Sequence, residues 1–278
     1  MQRPRYREEL PADIGPFQKL LHEYTHLPAE QLDAHIRQIR DKAYAIAPYP
    51  GFGLWGFTRI SVLEADPRYQ LALSRLCAPN ETEFFLDVGC GLGQNLRQLI
   101  HAGAPASKLG AVEKRHELYD LGLELFQDRF AHPQPELLVE DLIHSQSQVF
   151  LRRATILHVA NLFHLFDWTN QLAIAHRLSN MLQDQLEGEE EKRVFIFGRQ
   201  VGSLTPGARE TKQGAEERYL HNQESFQRLW DSMYGVTGWH WKVEVEMLGK
   251  MPPGYAYLGE DARYQRFVVW RIPKTFSK

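Results

Sequence analysis

The sequence predicts an α/β protein in which a mostly parallel, seven-stranded sheet follows an N-terminal helical region. Apolar residues recur at helical spacing before residue 80, short apolar runs alternate with helical segments from residue 83 onward, and two strand-like segments lie near the C-terminus. Strands that alternate with helices are typical of a parallel sheet built from right-handed crossovers. We therefore expect residues 1–80 to form a helical lid or substrate region and residues 81–278 to form a ligand-binding α/β domain.

The helical region contains one clearly amphipathic segment after Pro28. Its apolar residues, spaced by three or four, are Leu32, Ile36, Ile39, Ala43 and Ile46. This spacing places them on one helix face. Prolines and glycines at 48–53 should end the helix, because proline lacks an amide donor and glycine adopts positive φ. A second helical stretch is expected at about 55–76, interrupted near Asp66-Pro67.

The α/β region is predicted to contain five strands that alternate with helices, followed by an antiparallel pair. The five strands are expected at 84–86, 109–112, 137–139, 155–160 and 193–197, and the helices at about 93–102, 118–130 and 171–186. Residues 239–247 alternate apolar and polar side chains, and residues 265–272 form a second apolar run. Only a loop containing Pro252-Pro253-Gly254 joins them, so they should pair antiparallel.

Composition and charge limit the classes of function. Hydrophobic residues make up 43% and charged residues 24% of the 278 residues, as in ordinary globular proteins. A net charge of −3 and a pI near 6.5 do not favour a nucleic-acid partner. Cys77 and Cys90 are too few for a disulfide framework, the N-terminus lacks a signal-peptide core, and no apolar run could span a bilayer. We expect a cytoplasmic protein without nucleic-acid or membrane partners.

A glycine-rich loop follows the first predicted strand of the sheet. Asp87, Gly89, Gly91 and Gly93 form an Asp-x-Gly-x-Gly-x-Gly pattern at a strand-to-helix junction, where open α/β sheets bind ligands. A dinucleotide-binding Gly-x-Gly-x-x-Gly loop would require glycine at position 94, which is glutamine. The spacing instead resembles that of S-adenosylmethionine-binding methyltransferases. The structural alternative is that these glycines only turn a tight corner.

Two acidic residues strengthen the prediction of S-adenosylmethionine as cofactor. Glu113 ends the second predicted strand, where a carboxylate can accept both hydroxyls of a ribose. Asp141 follows the third strand, where it could accept a hydrogen bond from an adenine amino group. Either acid alone would also fit a solvated strand end. The other residues predicted to bind the cofactor or its product S-adenosylhomocysteine are Gln94, Lys114, Leu142, Ala160 and Asn161.

With these features the chain resembles the class I, Rossmann-like methyltransferases of fungal secondary metabolism, particularly those of meroterpenoid and polyketide pathways. Besides the glycine loop, the matching segments are Arg40-Asp41-Lys42-Ala43 through Pro48-Tyr49-Pro50, Gly103-Ala104-Pro105, Phe163-His164-Leu165-Phe166-Asp167-Trp168 and Gly198-Arg199-Gln200-Val201-Gly202. The resemblance covers about residues 40–245. It implies a Rossmann-like domain that transfers a methyl group from S-adenosylmethionine to a small molecule, with carboxyl methylation as one candidate.

The segment after Pro48 departs from the pattern of this family. The family usually reads Pro-Tyr-Pro-Cys-Ile-Gly-x-Trp-Arg-Phe, whereas this chain has Gly51, Phe52 and Gly53, and then Gly56 in place of the arginine. This region is expected to contact the acceptor. The identity of the acceptor, whether a carboxyl or a hydroxyl oxygen, is therefore left open by the resemblance.

Candidate residues for chemistry lie beyond the predicted strands. His164 is the candidate general base, because imidazole titrates near neutral pH, although it could instead orient substrate or cap a helix. A hydroxyl acceptor needs such a base, whereas a carboxylate is already ionised. Arg199, placed past the fifth strand, could clamp an acceptor carboxylate or form an ordinary ion pair. Three aromatic residues could wall an acceptor pocket or belong to the core: Tyr49, Trp55 and Trp168.

Other functional interpretations of the sequence motifs have less support. The segment 22–26 matches His-Glu-x-x-His, but no third zinc ligand follows at the usual spacing and Pro28 ends the helix, so no metal is expected. The segment 160–163 lacks the Asp/Asn-Pro-Pro-aromatic motif of adenine methylation, and neither cysteine follows a proline as in cytosine-C5 methylation. A methyltransferase fold that acts as a cyclase, an isomerase or a non-methylating partner remains an alternative, and a homodimer is possible.

Overall fold

The computed structural model describes residues 6–79, 82–131, 133–144, 147–184, 194–210, 217–251 and 258–272. Three sequence predictions fall wholly or partly outside these residues, namely the end of the helix predicted at 171–186, the first residue of the fifth predicted strand, Arg193, and the loop at 252–254. Among the described residues, no helix is both long and apolar enough to cross a membrane.

The chain forms helices first and then alternates strands and helices. The helices are α1 (Gly15–Thr25), α2 (Ala29–Ile46), α3 (Pro50–Gly53), α4 (Ser61–Glu64), α5 (Pro67–Cys77), α6 (Gln94–His101), α7 (His116–Leu125), α8 (Trp168–Met181), α9 (Gln223–Asp231) and α10 (Tyr234–Thr237). The strands are β1 (Phe85–Val88), β2 (Leu109–Glu113), β3 (Glu136–Val139), β4 (Ile156–Val159), β5 (Phe195–Ser203), β6 (Gly207–Glu210), β7 (Glu217–Leu220), β8 (His240–Lys250) and β9 (Ala262–Ile272).

Seven strands form one sheet, in the order β3-β2-β1-β4-β5-β9-β8. β2 pairs parallel with β3, and β4 pairs parallel with both β1 and β5. β9 runs antiparallel to both of its neighbours, β5 and β8. The predicted fold class, a mostly parallel seven-stranded sheet with an antiparallel C-terminal pair, is confirmed.

Contacts between residues divide the chain into two compact units. The first comprises residues 1–81 and 90–140, and the second comprises residues 82–89 and 141–278. The helices that precede the sheet thus belong to the same unit as most of the glycine loop. The boundary predicted at residue 80, and the role of residues 1–80 as a lid or substrate region, stay predictions.

The core of the first unit is formed by the amphipathic face of α2. Leu32, Ile36, Ile39 and Ala43 are buried as predicted, and Ile46 is partly buried against the same cluster. The cluster also contains Leu92 of the glycine loop and the buried face of α7: Leu118, Leu121 and Leu125. Burial of apolar surface therefore fixes the N-terminal helices against the loop that follows β1.

The second predicted helical stretch is shorter and more broken than expected. Trp55 has a φ of 63°, and only a 3₁₀ turn, Gly56–Thr58, and the four-residue α4 precede α5. The predicted interruption at Asp66-Pro67 is confirmed, because Asp66 caps α5 by accepting a hydrogen bond from the Arg68 N–H at 2.9 Å.

The backbone of helix α7 packs directly against the backbone of the glycine loop. A β-carbon at Gly122 would overlap the carbonyl oxygen of Leu92, so only glycine allows this packing. The helix begins two residues before the prediction and ends at Leu125 rather than residue 130. The end is set by Gln127, whose φ of 51° cannot continue an α-helix.

The second unit contains the clearest difference from the predicted strands. β5 continues to Ser203, six residues past its predicted end, because nine of its residues pair with β9. Arg199 therefore lies within β5, so its predicted position past the fifth strand is wrong. The last β4 pairing joins His158 to Phe197, so the second half of β5 extends beyond the carboxyl end of β4.

Several elements of the second unit escaped prediction. The hairpin of β6 and β7 and the helix α9 were not expected. α9 begins with a capping box in which Asn222 and Ser225 exchange hydrogen bonds. α8 begins at Trp168, after the Asp167 cap, and ends at Met181 instead of residue 186, because the following residue forms a bridge with the chain before β4.

Gly122→Ala should destabilise the protein by about 1–3 kcal/mol, because the added methyl group forces α7 away from the Leu92 carbonyl group. Helix propensity alone predicts the opposite sign, since alanine is favoured over glycine by about 1 kcal/mol inside a helix. Urea unfolding of Gly15→Ala serves as the control, because apart from its chain neighbours and its own helix backbone no described atom lies within 4 Å of a β-carbon there. Equal stability of Gly122→Ala and wild type would contradict the packing argument.

Candidate active site

The three glycines of the loop all adopt the left-handed backbone conformation. Their φ angles are 73° at Gly89, 56° at Gly91 and 65° at Gly93. At Gly89, no described residue other than its two chain neighbours has an atom within 4 Å of the position that a β-carbon would occupy. The backbone there faces open space, which is what a closely bound ligand requires.

Glu113 is fixed at the carboxyl end of β2 by two backbone donors. Its Oε2 accepts a hydrogen bond from the Gly91 N–H at 2.8 Å, and its Oε1 accepts one from the Arg115 N–H at 3.1 Å. The residue is only 8% exposed. A carboxylate offers about four acceptor positions, so this one can still receive ribose hydroxyl groups. The arrangement fits the predicted cofactor role, which stays a prediction.

A buried ion pair holds the end of the glycine loop. Arg97 of α6 donates to Asp128 through Nε at 2.8 Å and Nη2 at 3.0 Å, and through Nη1 to the Gly93 carbonyl oxygen at 3.3 Å. The Tyr24 hydroxyl of α1 donates to the same carboxylate at 3.1 Å. Sequence patterns gave no sign of this pair, because its two members lie 31 residues apart.

The remaining predicted cofactor residues of the first unit differ in exposure. Gln94 opens α6, and its buried side-chain oxygen accepts no hydrogen bond from any described residue. This orphaned acceptor is suited to a cationic or N–H group of a ligand. Lys114 follows Glu113 and is exposed.

The predicted cofactor residues of the second unit lie at strand ends. Asp87 is buried, and its Oδ1 is 2.7 Å from Nδ1 of the buried His158. Asp141 is half-buried, and it accepts a hydrogen bond from the Ile143 N–H at 3.0 Å in a short turn. Leu142 and Ala160 are also half-buried. The exposed Asn161 has a φ of 54° and donates its N–H to the Arg199 carbonyl oxygen at 2.7 Å.

His164 is buried in an environment that keeps it neutral. Burial, together with the charge of Arg218, lowers the pKa of His164 from 6.5 to about 3. Its Nδ1 accepts a hydrogen bond from the Val201 N–H of β5 at 3.4 Å. A histidine with so low a pKa is a weak base and is therefore poorly suited to act as a general base near neutral pH.

Two predicted substrate residues of the second unit make aromatic contacts. The Arg199 guanidinium lies over the ring of Tyr264, 3.9 Å from its centroid. Trp168 packs edge to face on Tyr219 with ring centroids 4.9 Å apart. Arg199 and Trp168 are both half-buried. Their roles toward an acceptor stay predictions.

The two predicted substrate residues of the first unit occupy opposite environments. Trp55 is fully buried, with the Arg40 guanidinium 3.9 Å from its ring centroid and its Nε1–H donated to the Arg7 carbonyl oxygen at 3.0 Å. These contacts are those of a core residue. Tyr49 is 48% exposed and stacks on Phe52 with ring centroids 6.2 Å apart.

Two buried glutamines lie in strands whose sequence pattern gives no sign of them. Gln200 of β5 and Gln265 of β9 face each other in register, and both are almost fully buried. None of their four side-chain nitrogen and oxygen atoms has a hydrogen-bond partner among the described residues. Such burial costs about 1–3 kcal/mol per group. A ligand group that reached these amides would be stabilised by them.

The known proteins that this chain resembles in sequence are methyltransferases. Residues 5–58 match the family model described as the meroterpenoid methyltransferase N-terminal domain. The O-methyltransferase phiE of Fungal sp. (strain ATCC 74256) is 34% identical over 247 residues, which cover 87% of this chain and 79% of phiE. The asnovolin E/chermesin D methyltransferase nvfJ of Aspergillus novofumigatus is 30% identical, over 84% of this chain and 83% of nvfJ.

Solved structures agree on the fold. The phosphoethanolamine N-methyltransferase 2 of Haemonchus contortus, in complex with phosphomonomethylethanolamine and S-adenosylhomocysteine, matches with a TM-score of 0.51. The match covers 85% of this chain and 60% of that chain, at 14% identity. This likeness supports the methyltransferase fold and says nothing about the acceptor.

Glu113→Ala should weaken binding of S-adenosylhomocysteine about 10- to 100-fold, because hydrogen bonds to a charged group contribute about 1.5–3 kcal/mol. Titration calorimetry gives the affinity, and Glu117→Ala, an exposed acid in the first turn of α7, is the matched control. Unchanged affinity in Glu113→Ala would remove this residue from the cofactor site.

Stability should fall as the pH drops from about 6.5 toward 3, because two buried histidines stay neutral in the native state. Burial, followed by the charge of Arg228, lowers the pKa of His221 to about 3, as burial does for His164. In this window the unfolded chain binds protons that the folded chain does not. Each histidine therefore costs about 1.4 kcal/mol per pH unit once the unfolded state is protonated.

Urea unfolding at pH 7.5 and 5.5 measures this dependence. His221→Gln should remove about half of the pH dependence, since His164 still contributes, whereas His116→Gln, which alters an exposed histidine, should leave it unchanged. A stability that does not change between the two pH values would contradict the assignment of neutral buried histidines.

Proposed function

We propose that this chain, which belongs to the S-adenosylmethionine-dependent methyltransferases of fungal meroterpenoid and polyketide pathways, methylates a carboxyl oxygen of a small organic acid. Binding of S-adenosylmethionine is supported chiefly by the Glu113 carboxylate at the carboxyl end of β2. Its Oε2 accepts a hydrogen bond from the Gly91 N–H at 2.8 Å. It presents a fixed acceptor beside a glycine backbone, as a bound ribose requires.

The cofactor supplies an electrophilic methyl group on a sulfonium, so the protein supplies little covalent chemistry. Gly89 leaves room for close approach of the ligand, and the Gln94 oxygen offers it a buried acceptor. The protein must also align the acceptor oxygen with the methyl group and exclude water, and alignment accounts for much of the rate.

The low pKa of His164 favours a carboxylate over a hydroxyl acceptor. A phenol has a pKa near 10, and His164 has one of about 3. Transfer of a proton from the phenol to this histidine would cost on the order of 10 kcal/mol, at about 1.4 kcal/mol per unit. A carboxylate acceptor avoids this cost because it is already ionised at neutral pH.

Arg199 is the proposed partner of the acceptor carboxylate. It lies in the part of β5 that extends beyond the last pairing with β4, where open α/β sheets bind ligands. Its guanidinium is held against the Tyr264 ring, which reduces the number of side-chain rotamers that binding must restrict. Trp168 is the proposed apolar contact of the acceptor in this unit.

The proposal is tested with purified protein, S-adenosylmethionine, and a panel of aromatic polyketide acids and terpenoid acids, each beside its primary amide. The expected product is heavier than the acid by one CH₂ and returns to the acid in alkali, as a methyl ester does. A gain in mass that resists alkali would indicate an ether and a hydroxyl acceptor. An isomeric product of unchanged mass would indicate a cyclase or isomerase.

With an acid substrate, His164→Asn should retain kcat within about tenfold, because asparagine preserves an acceptor for the Val201 N–H and no base is needed. Loss of a true general base lowers kcat about 10²- to 10⁴-fold. Arg199→Gln should instead raise KM for the acid about 10- to 100-fold, since a charge-assisted bond is lost.

Arg263→Gln, which changes a half-buried arginine of β9, is the control for Arg199→Gln. The carboxylate proposal also requires kcat to be flat between pH 6 and 8. A rate that rises through a histidine pKa and disappears in His164→Asn would overturn it.

A further inference from the structure

We propose that Tyr49 and Phe52 form an aromatic platform for the cationic sulfonium of the cofactor, which makes the site bind S-adenosylmethionine more tightly than the neutral product. The inference rests on the proposed function and deepens it. Tyr49, Phe52, Gly91 and Glu113 all belong to the first unit. The sequence alone marks Tyr49 as a candidate wall of the acceptor pocket and assigns no role to Phe52.

Phe52 connects the N-terminal helices to the glycine loop. Its Cζ is 3.8 Å from the position that a β-carbon of Gly91 would occupy, and apart from Gly91 and its two chain neighbours no other described residue has an atom within 4 Å of that position. Gly91 also donates its N–H to Glu113. The aromatic ring and the proposed ribose acceptor thus lie against the same loop residue.

Tyr49 presents the accessible part of the platform. Its ring stacks on that of Phe52 at an interplanar angle of 19°, and Tyr49 is 48% exposed whereas Phe52 is 6% exposed. The Phe52 N–H also donates to the Tyr49 carbonyl oxygen at 3.0 Å, so a single short turn holds both rings. Phe52 therefore positions Tyr49, and Tyr49 faces solvent next to the loop.

Other aromatic residues pack against Phe52 and hold the platform in place. Phe57 packs on Phe52 with ring centroids 6.2 Å apart, and Trp55 and Phe17 pack on Phe57 at 6.3 and 5.8 Å. Arg40 lies over Trp55. A ring held by such packing loses little conformational entropy when it contacts a ligand.

Chemistry identifies the group that this platform would contact. In S-adenosylmethionine, one methylene group separates the ribose from the sulfonium, so a ribose at Glu113 places the sulfur within reach of a ring at Gly91. Aromatic faces attract cations through the ring quadrupole. During transfer the sulfur–methyl bond breaks and an oxygen–methyl bond forms. The sulfonium becomes a neutral thioether and the carboxylate a neutral ester, so the attraction is lost in the product.

Phe52 is also a departure from the family pattern, which has isoleucine at this position. An isoleucine would fill the space beside Gly91 but could not stack on Tyr49. The preference for the charged cofactor should therefore be stronger in this chain than in its own Phe52→Ile variant.

The test uses three ligands in titration calorimetry: S-adenosylmethionine, sinefungin, which carries an amine in place of the sulfonium, and S-adenosylhomocysteine. Tyr49→Leu and Phe52→Ile should each weaken the two cationic ligands about 3- to 10-fold and leave S-adenosylhomocysteine unchanged. Tyr49→Phe keeps the ring and should bind all three like wild type. Tyr234→Leu, a tyrosine of the other unit that is 50% exposed, is the matched control.

Each other outcome has a separate meaning. Equal losses for all three ligands, or no loss for any, would overturn the platform but leave the cofactor site intact. Because Tyr49 is half exposed, its replacement should not prevent folding, which circular dichroism checks. If wild type bound none of the three ligands, the proposed function itself would fail, whatever the variants did.

Discussion

The position of the glycine loop depends on the buried ion pair between Arg97 and Asp128. Through one guanidinium, the pair joins α6, the carbonyl group of Gly93 and the segment after α7, and through Tyr24 it reaches α1. Removing one partner of a buried pair typically costs 3–5 kcal/mol, whereas replacing both by apolar groups is often neutral. We infer that the pair contributes more to the alignment of these segments than to the net stability of the fold. It ties the N-terminal helices to the loop that we propose binds the cofactor.

The parts of the fold that the sequence predicted are those encoded locally. The apolar face of α2, the glycine loop at the junction of β1 and α6, and the placement of Glu113 at a strand end all follow from patterns within a few residues. The parts that it did not predict are set by distant partners. β5 is long because it pairs with β9, and α7 ends early because of one left-handed residue. Phe52 reads as part of a glycine-rich turn, and only its contact with Gly91 gives it a role.

The departures from the family pattern around residue 51 are coupled by a tight turn. A β-carbon at Gly56 would lie 3.1 Å from the α-carbon of Gly51, which leaves little room for the arginine that the family carries at position 56. The chain has glycine at both. The turn can then bring Phe52 onto the loop, so the changes at positions 52 and 56 act together rather than independently. Differences in acceptor or cofactor preference among relatives are best sought in this turn.

The long pairing of β5 has a consequence for how the protein is made. Residue 195 pairs with residue 270, so β5 leaves the ribosome well before the strand that covers its second edge. At about 5–20 residues per second, the delay is roughly 4–15 seconds. During that time the nascent chain exposes a nine-residue strand rich in apolar side chains, with one edge open to other chains. Yield in heterologous expression should thus depend on chaperones and on temperature more than the stability of the finished fold would suggest.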